Sequence, residues 1–221
     1  MDRFVAIDLG RVTLEGDLAV PGGARGLVLF AHGSGSSRAS PRNRHVAGVL
    51  NGAGFATLLF DLLTRDEEVV DARTGRFRFD IELLAERLEA TTDWIRPRPD
   101  LGGLPVGYFG ASTGAAAALI AAAARPAVVR AIVSRGGRPD LAGAAIDRVT
   151  APTLLIVGDR DAPVLELNRQ VLPRLGGEAR LEIVPGATHL FEEPGALEAV
   201  ARVGREWFER HLLPAEMRRA G

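Results

Sequence analysis

The chain has 221 residues, 47% of them hydrophobic, which suits one globular domain over residues 1–221 with a substantial core. A formal charge of −1 with 25% charged residues supplies no long-range field for nucleic acid or an anionic membrane, so a small neutral or weakly charged partner fits better. The absence of Cys excludes a disulfide framework, a thiolate nucleophile and a Cys-bound metal, and all 27 basic residues are Arg.

The first residues, Met1-Asp2-Arg3-Phe4-Val5, do not read as a basic region leading into an apolar signal segment. No run of about 18 uncharged apolar residues occurs, so a soluble cytoplasmic protein is expected. Phe4 to Leu9 and Val12 to Val20 alternate apolar and polar residues, predicting an antiparallel edge that ends at Pro21-Gly22-Gly23. Compact apolar runs follow at Leu27 to Ala31, Ala56 to Phe60, Val106 to Phe109, Val129 to Val133, Thr153 to Val157 and Arg180 to Val184. Such runs suit parallel strands buried on both faces.

Helices are expected between them. Asn43 to Asn51, Ser112 to Ala124 and Val164 to Leu172 are three. Asp80 to Ile95 is the clearest, with Asp80 as cap and Ile81, Leu84, Ala85, Leu88 and Ile95 on one face. A last helix is expected from Pro194, with Leu197, Val200, Ala201, Phe208 and Leu212 on one stripe. This alternation predicts an α/β fold: a doubly wound, mostly parallel sheet with helices on both faces and an antiparallel N-terminal edge. Ser36 to Arg44 and Leu62 to Phe79 read as Arg-rich rim loops, either solvated charged surface or an anion-binding rim.

The strongest chemical signal is Gly110-Ala111-Ser112-Thr113-Gly114, set between a strand and an Ala-rich helix. A Ser on so sharp a turn stands exposed above the sheet, and the flanking glycines remove side chains that would collide there. A phosphate cradle is the alternative, but the spacing matches neither G-x-G-x-x-G nor a Lys-containing loop. Neutral Ser needs a base, and His189 follows a strand on the same rim, whereas His45 and His211 fall within helices. In Gly158-Asp159-Arg160-Asp161 the second aspartate is farther along the loop and better placed for His189, while Asp159 suits a turn-fixing role. Asp140 is a third candidate acid, read mainly as an N-cap.

After the first parallel strand, His32-Gly33-Ser34-Gly35-Ser36-Ser37 has small residues that let backbone N–H groups face a carbonyl oxygen. Ser34 N–H and Thr113 N–H are the expected oxyanion donors, with His32 supporting the loop. His32, Gly33 and Arg135 are candidate substrate-binding residues; Arg135 could meet a substrate carboxylate or form a structural ion pair.

His32-Gly33, Gly110 to Gly114, Asp161 and His189 together resemble the α/β-hydrolase superfamily over nearly the whole chain. Within it the chain resembles the small, lidless, dienelactone-hydrolase-like branch. Dienelactone hydrolase uses a Cys nucleophile where this sequence has Ser112, so its substrate does not carry over. Ser134 to Pro152 is too short for a cap domain, which implies an open site. The expected function is a serine hydrolase cleaving an ester or related acyl bond of a small molecule, without metal or organic cofactor. An acyltransferase, thioesterase or perhydrolase on the same site, or an inactive binding module, are the alternatives.

Overall fold

The computed structural model describes residues 3–213. The strands are β1 (Arg3–Asp8), β2 (Thr13–Ala19), β3 (Leu27–Ala31), β4 (Ala56–Phe60), β5 (Val106–Ala111), β6 (Val129–Arg135), β7 (Thr153–Gly158) and β8 (Ala179–Val184). They form one sheet in the order β1-β2-β4-β3-β5-β6-β7-β8. β1 pairs antiparallel with β2 and β2 with β4, and every other pairing is parallel. The fold is the α/β-hydrolase fold, doubly wound with an antiparallel start.

Helices α1 (Pro41–Gly52), α2 (Arg65–Thr74), α3 (Ile81–Ile95), α4 (Thr113–Ala124), α5 (Ala162–Val171) and α6 (Ala196–Leu212) cover the sheet. Alternation along the strands divides the core. Leu27, Leu29, Tyr108 and Ile132 pack with α3 and α4, while Val28, Phe30, Phe109 and Val133 pack with α1 and α6. α6 commits Val200, Trp207, Phe208 and Leu212 to that second layer; at about 1.5–3 kcal/mol for each large side chain, burial fixes its place against the sheet. Among the described residues no helix is long and apolar enough to cross a membrane.

Several boundaries differ from the sequence reading. Leu62 to Phe79 is not a plain rim loop, because it contains α2. Thr64 Oγ1 accepts the Glu67 N–H, Glu67 returns a bond to the Thr64 N–H, and Gly75 at φ 66° ends the helix. Its Val69 and Val70 are exposed, so no apolar stripe announces it. α1 starts at Pro41, with Ser40 accepting from the Asn43 N–H, two residues before the expected start. α6 starts at Ala196 and not Pro194, since Gly195 at φ 82° breaks the helical path between them. Asp80 caps α3 as expected, accepting the Leu83 N–H at 3.1 Å.

Candidate active site

Between β5 and α4 lies a single residue, Ser112, at φ 51° and ψ −119°. That conformation costs an L-residue roughly 1–3 kcal/mol, so the surroundings must impose it. The Ser112 N–H donates to the Arg135 carbonyl at 3.2 Å, and the Ser112 carbonyl accepts the amides of Ala115 and Arg138 at 3.1 Å each. Exclusion does the rest. A Cβ at Gly114 would sit 2.2 Å from the Ala31 carbonyl oxygen, and one at Gly110 would sit 2.5 Å from Ala115 Cα. α4 can therefore approach the sheet closely only with glycine at both positions.

Asp161 follows β7 and His189 follows β8. Parallel pairing brings the two loops so close that a Cβ at Gly158 would lie 2.1 Å from the Ala187 carbonyl oxygen. His189 Nδ1 donates to Asp161 Oδ2 at 2.6 Å, which leaves Nε2 as the free ring nitrogen. Asp161 occupies the N-cap position of α5 but makes no cap hydrogen bond, so the carboxylate is committed to the imidazole. A Cβ at Gly136 would lie 3.4 Å from His189 Nδ1, placing His189 one residue from the carbonyl that holds Ser112. Among the described residues no hydrogen bond joins Ser112 to His189; such bonds in unliganded sites commonly tighten only around substrate.

The rival carboxylates are employed elsewhere. Asp159 accepts the Gly186 N–H at 2.7 Å, tying two loops together and not its own turn. Asp140 does not cap the short 3-10 segment Pro139–Arg148; it binds the Arg138 guanidinium at 2.9 and 2.7 Å. His45 is exposed on α1, and His211 packs against Trp207 on α6 with ring centroids 4.3 Å apart.

His32 is buried and accepts the Leu62 N–H on Nε2 at 3.0 Å, so its Nδ1–H donates to the Gly33 carbonyl, also at 3.0 Å. Burial pushes its pKa down, and the neutral ring bridges the loops after β3 and β4. A Cβ at Gly33 would approach Ser112 Cβ to 3.0 Å, so this loop lies against the elbow. Of the two expected oxyanion donors, the Ser34 N–H donates to Thr113 Oγ1 at 2.9 Å. The Thr113 hydroxyl thus occupies the Ser34 amide in the resting site.

Sequence reasoning also missed Glu193. Its Oε1 accepts the Thr188 N–H at 3.1 Å and the Thr188 hydroxyl at 2.6 Å, bracing the residue before His189. The Thr188 hydroxyl, and then the backbone N–H groups, hold the Glu193 carboxyl below its ordinary range. Its position five residues after Thr188 matches no cap or turn signature.

A cavity of about 460 Å³ adjoins the loop after β3, lined among others by Ser34, Ser37, Arg42, Glu68, Asp71 and Arg78. α2 supplies one wall. Four of the rim arginines are ion-paired within the chain, Arg44 and Arg65 while remaining exposed. Arg38 meets Asp61 and Glu15, Arg44 meets Asp17, Arg65 meets Glu15, and Arg78 meets Asp71. Arg135 lies at the end of β6 and is only 7% exposed. No group of three His, Asp or Glu side chains that could hold a metal occurs among the described residues.

Comparison with known proteins bears on this geometry. Residues 14–211 match the model of the dienelactone hydrolase family. The crystal structure of a dienelactone hydrolase from Anabaena variabilis superposes with a TM-score of 0.94 at 59% identity, covering 96% of this chain and 98% of that one. Est1E from Butyrivibrio proteoclasticus superposes with a TM-score of 0.78 over 94% of this chain and 98% of its own; at 18% identity the likeness is one of fold. Curated proteins from two strains of Mycobacterium tuberculosis are 60% identical over 211 residues, 96% of this chain, and carry a provisional name as phosphoribosyl transferases. The chain spans about half of their length, 47%.

Proposed function

The chain belongs to the dienelactone hydrolase family, and on that premise we propose that it is a serine hydrolase cleaving a carboxylic ester or related acyl bond of a small molecule. The observation that carries this reading is the 2.6 Å bond from His189 to Asp161, held on the strand-end rim that also carries the strained Ser112. The triad runs Ser112, Asp161, His189 in chain order, which is the order of this fold.

In the proposed reaction His189 Nε2 takes the Ser112 Oγ proton as Oγ bonds to the acyl carbon. Asp161 holds the imidazolium in place from the Nδ1 side. The carbonyl oxygen becomes an anion facing the Thr113 N–H. Being a charged acceptor, it outcompetes Thr113 Oγ1 for the Ser34 N–H. When the carbon–oxygen bond to the leaving alcohol breaks, Nε2–H gives its proton to that oxygen. Water then adds to the acyl carbon while Nε2 accepts its proton, and collapse returns this proton to Ser112 Oγ as the carboxylic acid departs.

The transferase name of the mycobacterial relatives attaches to proteins about twice as long, and it gives no ground for assigning phosphoribosyl transfer to Ser112. The test of the hydrolase reading is labelling by a fluorophosphonate probe, with the modified peptide identified by mass spectrometry. Labelling at Ser112 is expected, lost in Ser112→Ala together with turnover of short p-nitrophenyl esters. Folded protein that neither labels nor turns over these esters would overturn the reading.

A further inference from the structure

Asn168 is fully buried within α5, where asparagine is a poor helix former and a polar side chain is costly to enclose. It stands seven residues after Asp161, the N-cap residue of α5, so two helical turns place both on one face with Val164 and Leu165. Its Nδ2 donates to the Val164 carbonyl at 2.8 Å and to the Gly137 carbonyl at 2.9 Å. Two carbonyl partners fix which end of the amide is the nitrogen. Among the described residues its Oδ1 has no hydrogen-bond partner, although it is enclosed. Leucine has the same number and branching of side-chain heavy atoms and no polar atom to satisfy, so stability alone does not call for asparagine here.

The Gly137 carbonyl belongs to the turn Gly136-Gly137-Arg138 that follows β6, and this turn touches the other two triad residues. Gly136, at φ 52°, lies against His189: a Cβ there would be 3.1 Å from the His189 carbonyl oxygen and 3.4 Å from its Nδ1. The Arg138 N–H donates to the Ser112 carbonyl at 3.1 Å. Gly137 itself is confined, since a Cβ there would come within 2.0 Å of Ser134 Oγ and 2.7 Å of Ala115 Cβ. The turn thus meets His189 at one end and Ser112 at the other, and Asn168 joins its middle residue to the helix that Asp161 begins.

We propose that Asn168 is a positioning residue of the triad: its bond to the Gly137 carbonyl sets the helix that carries Asp161 against the turn on which Ser112 and His189 rest. It touches no substrate and moves no proton. Its effect on rate rests on the hydrolase reading, whereas the tie itself does not. A misplacement of catalytic groups by about 1 Å costs about 10²-fold in rate, which sets the size of the effect to expect.

The experiment compares the parent chain with Asn168→Leu and Asn168→Thr. Leucine removes both hydrogen bonds. Threonine, whose hydroxyl bonds the carbonyl four residues back in a helix, keeps the Val164 bond and drops the one to Gly137. The readouts are kcat and KM for short p-nitrophenyl esters, per folded molecule, and hydrogen exchange of the Arg138 amide. Both variants are expected to lose kcat by about 30- to 100-fold with KM within about twofold, and to exchange the Arg138 amide at least about tenfold faster. A merely structural role would lower stability and leave kcat of the folded molecules within about threefold of the parent, which overturns the proposal. So does parental kcat in Asn168→Thr alone, because the Gly137 bond would then be idle. If Asn168→Leu does not fold, Asn168→Thr decides by itself. A parent chain that is neither labelled by the fluorophosphonate nor active sinks the hydrolase reading, and Arg138 exchange then decides the tie: faster exchange upholds it, unchanged exchange in the variants overturns it. An active parent with unaltered variants removes the role of Asn168 and leaves Ser112 chemistry intact.

Discussion

Ser112 and His189 stand at strand ends of the same sheet, yet they are fixed by different means. The Ser112 elbow is set by neutral backbone hydrogen bonds and by excluded volume: Gly110, Gly114 and Gly33 allow approaches that no side chain would permit. The His189 loop is set by hydrogen bonds to carboxylates, from the His189 ring to Asp161, from the Gly186 N–H to Asp159 and from Thr188 to Glu193. Shape does not titrate, whereas carboxylates do. The comparison therefore predicts a Ser112 placement indifferent to charge and a His189 placement that depends on it.

The largest effect should come from the charged side. Asp161→Asn keeps the size of the side chain but replaces the charged acceptor that fixes the imidazole tautomer with a neutral amide. We expect kcat for p-nitrophenyl esters to fall by roughly 10³ to 10⁴, with KM little changed. A kcat within about tenfold of the parent would show that Asp161 does not orient His189.

On the shape side, Gly114→Ala would drive a methyl group to 2.2 Å from the Ala31 carbonyl oxygen and 2.5 Å from that of His32. Both obstacles are backbone, so either the elbow shifts or β3 parts from β5. A loss of about 3 kcal/mol is expected in denaturant unfolding, with the same deficit across neutral and mildly acidic pH. Parental stability in this variant would remove excluded volume as the device that holds Ser112.

The same contrast decides what was legible in the sequence. The elbow could be read because its sequence signal lies within five residues, Gly110 to Gly114, between an apolar strand and an Ala-rich helix. The Asp80 cap and the alternating core strands are equally local. α2 was missed because Val69 and Val70 face solvent, so the hydrophobic period was silent; its signal was the Thr64 and Glu67 capping pair with Gly75 beyond. Pro194 suggested a helix start, but the left-handed Gly195 overrode it. The Ser34 amide could not be placed from sequence, because its partner, Thr113 Oγ1, is 79 residues away and depends on a side-chain rotamer. Among the described residues Arg135 pairs with no carboxylate, and this too depends on where every carboxylate ends up in space. Local steric rules travel in the sequence, and long-range pairing of polar groups does not.

The smallest effect, and the finest test of the comparison, lies at Glu193. This residue acts through Thr188 on the backbone that carries His189, so it is a positioning residue. Glu193→Gln keeps a side chain of similar size but replaces a charged acceptor with a weaker neutral one. About a tenfold fall in kcat is expected, with KM unchanged, since substrate binding does not involve this carboxylate. The pH dependence has a definite sign. The Thr188 hydroxyl, then the backbone N–H groups, lower the folded pKa of Glu193 below its ordinary 4.5, so between the two values the unfolded chain binds more protons. Its stabilising contribution is complete above about pH 4.5 and is lost as pH falls through the folded pKa. Thr188 amide exchange should therefore quicken in the parent over that acid interval, and Glu193→Gln should be fast on both sides of it. An acid-induced change of equal size in both proteins would mean that Glu193 does not carry the pH response of the His189 loop.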